Sequence, residues 1–103
     1  MSVPQYTTPT LTFTFTDENL DLTLASDVIV TLEAKTRRQI EKSGSDLTIL
    51  PKKITLELTQ QETAMLAVGE VKAMINWVFP NGKRAASKIK MIEIGDNLHR
   101  KVM

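Results

Sequence analysis

Short segments of alternating apolar and polar residues, spaced by turn formers and interrupted once by a helix-capping signature, predict an all-β protein. The class expected is an immunoglobulin-like antiparallel β-sandwich of about seven strands, with one short helical turn between the fifth and the sixth. A third observation narrows the means of stabilisation. The chain has no cysteine, so disulfides, thiolate metal sites and a cysteine nucleophile are excluded together, and the fold rests on packing. At 103 residues it makes one domain, long enough to bury roughly two-thirds of its unfolded surface.

Residues 1–9 contain Pro4 and Pro9, which cannot donate to a β-ladder, and are expected as an extended N-terminal arm or an edge, ahead of a sandwich domain at 10–95. In "LTFTFT" (11–16), Leu11, Phe13 and Phe15 face one way and the threonines the other, a half-buried strand. "DENLDLTLAS" is a polar connector with Leu20, Leu22 and Leu24 turned inward. Its acids do not make a calcium loop, because the central glycine is missing and Val28 stands at the twelfth position. "DVIVTLEAK" places Val28, Val30, Leu32 and Ala34 inward and pairs with "RRQIEK" through a tight turn near Lys35-Thr36-Arg37. "SGSD" is a turn by composition. "LTIL" and "KITLELT" are two further strands, the second burying Ile54, Leu56 and Leu58. Thr59-Gln60-Gln61-Glu62 then has the form of a capping box. The helical turn after it is expected to tuck Met65 and Leu66 under the sheets.

The last hairpin requires a choice of register. A two-residue turn at Asn81-Gly82 would pair Ala73 with Lys90 and drive lysines onto the core face. A three-residue loop, Pro80-Asn81-Gly82, with Gly82 in the left-handed bulge position, pairs Trp77 with Ala85, Ile75 with Ser87, Ala73 with Ile89 and Val71 with Met91. The longer loop is the expectation. It keeps Lys88 and Lys90 outside and leaves Ile92 and Ile94 on the outer face. Trp77, alternating with aliphatic residues, is expected as a core anchor rather than a sugar-stacking ring.

The residues show no enzyme constellation: G-x-S-x-G, a Walker loop, a dinucleotide fingerprint and HExxH are all missing. No metal or cofactor is expected. The one histidine, His99, lies in a basic tail at 96–103 without neighbours of ligand type and spacing. Residues 1–50 sum to −3 and residues 51–103 to +4, a two-signed surface that fits an ordinary soluble protein or one that docks against a complementary neighbour. Lys83, Arg84, Lys88 and Lys90 lie along the last strand without interleaved aromatics, so nucleic-acid binding is not expected. No apolar run is long enough for a membrane span, and "MSVPQYTT" has no secretory signal pattern.

"TTPT" (7–10), "LT-x₅-ITLELTQQET" (47–63) and "GKRAASKI" (82–89) together resemble the small sandwich proteins encoded among the structural genes of tailed phages and prophages. The chain is also similar, from about residue 7 to residue 95, to the N-terminal domain of phage upper baseplate proteins. Leu50-Pro51-Lys52-Lys53 departs from the polar glycine turn usual there. The resemblance implies a non-enzymatic structural or adaptor role, tail or baseplate associated, with other phage structural proteins or a second copy as partner. It also implies residence in the virion, or in the host cytoplasm during assembly. Exposed Tyr6, Ile29, Met74, Val78, Ile92 and Ile94 are the candidate partner surface, with the arm available to extend a neighbour's sheet. A carbohydrate- or cell-surface-binding module is the alternative, and Tyr6 is the one aromatic free to serve it.

Overall fold

The computed structural model describes residues 2–66 and 68–98. Among them, two sheets sandwich one apolar core, so the all-β expectation holds. The strands are β1 (Ser2–Pro4), β2 (Thr10–Thr14), β3 (Asp27–Glu33), β4 (Gln39–Ser43), β5 (Leu47–Leu50), β6 (Lys53–Glu57), β7 (Gly69–Val78), β8 (Arg84–Ala86) and β9 (Lys90–Gly95). A short helix, α1 (Gln60–Met65), links β6 to β7. The smaller sheet runs β2-β6-β5 and the larger β1-β9-β7-β3-β4, with β8 also on β7. This is the immunoglobulin-like arrangement: one sheet opposes the other, and the chain changes sheets between β2 and β3, β4 and β5, and β6 and β7. No described helix is long and apolar enough to cross a membrane.

The alternation read from the sequence supplies the core. Leu11 and Phe13 of β2, with Ile54 and Leu56 of β6, face Val28, Val30 and Leu32 of β3 and Val71, Ala73, Ile75 and Trp77 of β7. Two segments depart from it. Leu24 is exposed because Leu22–Leu24 is a 3-10 turn capped by Asp21, so residues two apart no longer share a side. Met65 is also exposed; α1 turns Thr63 and Leu66 inward instead.

Two hairpins use one loop design. Arg37 N–H donates to the Ala34 carbonyl and Ala34 N–H to that of Arg38, while Gly82 N–H donates to Phe79 and Phe79 N–H to Lys83, all at 2.9 Å. Arg37 (φ 65°) and Gly82 (φ 86°) occupy the left-handed bulge position. The three-residue loop expected at Pro80-Asn81-Gly82 is therefore present, and Trp77 stands opposite Ala85. The β5–β6 hairpin closes with only Pro51 and Lys52 between its paired ends, neither at positive φ, so it is not a primed turn.

The rest of the last hairpin corrects the expectation. Ser87 still lies against Ile75, donating its N–H to the Ile75 carbonyl and accepting from the Ile75 N–H at its hydroxyl. Beyond it the chain spends one extra residue, and Ala73 pairs with Lys90 and Val71 with Ile92. Ile92 and Ile94 consequently face the core, 5% and 1% exposed, while Ile89 and Met91 face outward at 54% and 47%. Lys90 shares the inward parity but emerges at the margin between the sheets. Its ammonium lies 3.3 Å from the Thr14 carbonyl and 5.3 Å from the Phe15 ring centroid. A lysine on that parity is tolerated because its stem covers apolar surface while its head reaches a carbonyl and two ring faces.

The arm is also docked. β1 pairs in parallel with β9, Val3 opposite Ile94, and Val3 is buried. Gln5 Nε2 donates to the Leu66 carbonyl at 2.7 Å, and the Thr63 hydroxyl lies 2.9 Å from the Thr7 carbonyl. The segment expected to be free for a neighbour's sheet thus completes this chain's own. Together with the break between β8 and β9, it raises the strand number above seven. His99 and most of the basic tail lie outside the described residues.

Candidate functional site

The outward face of the larger sheet carries the half-buried Ile29, Met74 and Val78 and the exposed Ile89 and Met91. β3 turns Asp27, Ile29, Thr31 and Glu33 outward, each level with its antiparallel partner on β7: Val78, Asn76, Met74 and Lys72 respectively. On the far side of β7, Arg84 stands level with Val78, and Met91 with Lys72. Period-two alternation accounts for the composition, because residues that fill the core are flanked at every step by outward ones.

Three of the six residues expected at a partner surface meet here. Ile29, Met74 and Val78 are half-buried, packed among neighbours on the sheet. Ile92 and Ile94 are removed from the set, since the extra residue after Ser87 turns them inward. Tyr6 lies elsewhere, half-buried in the turn after β1 with φ 60°. In place of the two isoleucines the face gains Ile89 and Met91. The signal for them is in the sequence: apolar residues at 89 and 91 change parity to 92 and 94, which a continuous strand cannot place on one side. Met74 and Ile89 line one shallow hollow of about 190 Å³, and Ile29 and Val78 line another of about 340 Å³.

Charge is ordered along the same face. Asp27 and Glu33 belong to β3; Lys72 belongs to β7 and Arg84 to β8. At the turn end the sign reverses, with Lys35 and Glu70 lining a common hollow. None of these six makes an ion pair with another described residue. The arrangement is an aliphatic and thioether stripe flanked by charges that make no ion pair among the described residues.

A second concavity, of about 600 Å³, lies on the smaller sheet beside α1, among Thr10, Thr48, Thr55, Glu57, Gln60 and Gln61. No aromatic ring lines it, and Tyr6 is not among its walls. Among the described residues, no three His, Cys, Asp or Glu side chains are grouped to hold a metal ion. Comparison with models of known protein families and with characterised proteins finds no match for this chain.

Proposed function

We propose that this chain is a non-enzymatic structural or adaptor protein of a tailed phage or prophage, tail or baseplate associated, working through protein–protein contacts. The observation that carries the reading is the stripe of Ile29, Met74, Val78, Ile89 and Met91 on a sheet face, rimmed by charges that make no ion pair among the described residues. Exposed apolar surface with a polar rim is what protein contact requires, and a sheet holds it without the ordering cost of a loop. The class of partner comes from the resemblance of residues 7–10, 47–63 and 82–89 to phage sandwich proteins. Such a protein resides in the particle or, during assembly, in the host cytoplasm.

The test is cross-linking in induced cells that carry the phage, with the full tagged chain as bait and mass spectrometry as readout. Tail or baseplate subunits should be linked to residues around Met74, and Met74→Asp should abolish those links. Links to metabolic enzymes alone, or links unchanged by Met74→Asp, would overturn the proposal.

A further inference from the structure

We infer that the outward face of the larger sheet docks against a second copy of this chain, about a twofold axis that lies between the two faces and runs along the β3–β7 seam. The inference rests on the contact-surface reading above and names the partner.

The argument is charge complementarity, level by level. Glu33 stands beside Lys72 across the seam, and Asp27 stands beside Val78 with Arg84 next along. Lys35 and Glu70 face one hollow at the turn end. Rotation about an axis along the seam keeps every residue at its level and exchanges β3 with β7. Glu33 of one copy then meets Lys72 of the second, Lys35 meets Glu70, and Asp27 meets Val78 with Arg84 beside it. The two levels charged on both strands, Glu33 with Lys72 and Lys35 with Glu70, bring opposite signs together, while the levels of Ile29 and Thr31 bring no charge from either strand. An axis across the strands at the Thr31–Met74 level would match Lys35 with Asp27 but set Glu33 over Ile29 and Glu70 over Val78, charge against apolar surface.

The apolar stripe fits the same axis, since Thr31 of each copy covers Met74 of the other, next to Ile89. Sheets stacked face to face lie ~10 Å apart, a distance that facing long side chains bridge. Four strands spaced ~4.8 Å apart make a face roughly 20 Å across. That is the small end of specific interfaces, so the dimer should form at micromolar concentration and exchange quickly.

Sedimentation of the full chain over a concentration series, in low and high salt, provides the test. Wild type should pass from monomer to dimer, with the midpoint rising at least tenfold in high salt. Glu33→Lys alone and Lys72→Glu alone should remain monomeric. An equimolar mixture of the two should recover a dimer of one copy each, because both contacts then become attractive. That recovery separates docking from the cross-strand neighbourhood of Glu33 and Lys72 within one chain. Should either variant fail to fold, dilution of wild type followed by methyl NMR gives the answer, with shifts expected at Ile29, Met74, Val78 and Ile89. A strict monomer, a dimer indifferent to both reversals, a mixture that stays monomeric, or dilution shifts elsewhere would each overturn the inference. A monomer that still cross-links tail subunits through Met74 would do so while leaving the adaptor reading standing.

Discussion

Lys42 Nζ lies 2.8 Å from Glu62 Oε1, which ties the edge strand β4 of one sheet to the helix that leaves the other. The same carboxylate oxygen accepts from the Thr59 N–H at 2.9 Å, while the Thr59 hydroxyl accepts from the Glu62 N–H at 3.1 Å. A capping box and an inter-sheet ion pair thus share one side chain. Burial alone would raise the Glu62 pKa; the hydrogen bonds from Lys42 and Thr59 and the lysine charge outweigh it and hold the carboxyl below its ordinary value.

A folded-state pKa below the unfolded one means that the carboxylate stabilises the fold above the unfolded value, and that this is lost as pH falls through the folded value. Glu62→Gln keeps an acceptor for the Thr59 N–H and removes the charge. It should cost about 0.5–1.5 kcal/mol at pH 7 and progressively less as pH falls below the ordinary carboxylate range. Urea titrations of both proteins across that range check it: curves that stay parallel at low pH would mean that the charge is not the source.

Ile92 and Met91 are adjacent, yet one is buried and the other half-exposed. Placing a carboxylate at Ile92 puts a charge among Val71 and its core neighbours, whereas at Met91 it meets water. Ile92→Asp should cost more than about 3 kcal/mol or abolish folding, and Met91→Asp should stay within about 0.5 kcal/mol of the parent. Thermal melts of the pair decide the parity directly, because the uninterrupted register exchanges the two outcomes.

Trp77 is 8% exposed, meets Phe15 edge to face at 5.5 Å, and keeps its indole N–H buried without a hydrogen-bond partner among the described residues. Two effects oppose each other in Trp77→Phe: ring volume is lost, and an unmet donor costing about 1–3 kcal/mol is removed. The net loss should stay below about 1.5 kcal/mol, against about 3–5 kcal/mol for Trp77→Ala. Denaturant midpoints of the two variants check this. A phenylalanine variant as unstable as the alanine one would show that the N–H is not a burden in the folded state.

Most of the fold was legible because its cause is local. Leu11, Phe13, Val28, Val30, Leu32, Ile54 and Leu56 announce their faces by alternation, and Thr59 and Glu62 announce the helix by their spacing. What escaped depends on partners distant in sequence. Pro4 leaves a free arm and a sheet edge both open, and only the distant β9 decides for the edge, where a missing donor costs nothing. The extra residue near Lys88 follows from the need to bury Ile92 and Ile94 against Val71 and Gly69, which turn geometry alone cannot express. The contact face was therefore half visible: Ile29, Met74 and Val78 lie on strands whose register the core fixes, and Ile89 and Met91 lie beyond the interruption.

Arg37 occupies, at φ 65°, the loop position that Gly82 fills in the matching hairpin. An L side chain there suffers contact between its Cβ and the backbone, at about 1–2 kcal/mol, whereas glycine does not. Glycine also gains freedom in the unfolded chain, which offsets about 0.5–1 kcal/mol of the relief. Arg37→Gly should therefore stabilise the protein by about 0.5–1 kcal/mol, and Gly82→Ala should destabilise it by about 1 kcal/mol. Paired urea midpoints, with unchanged slopes, are the measurement. A loss of stability in Arg37→Gly would mean that the arginine side chain makes contacts worth more than the strain of its backbone.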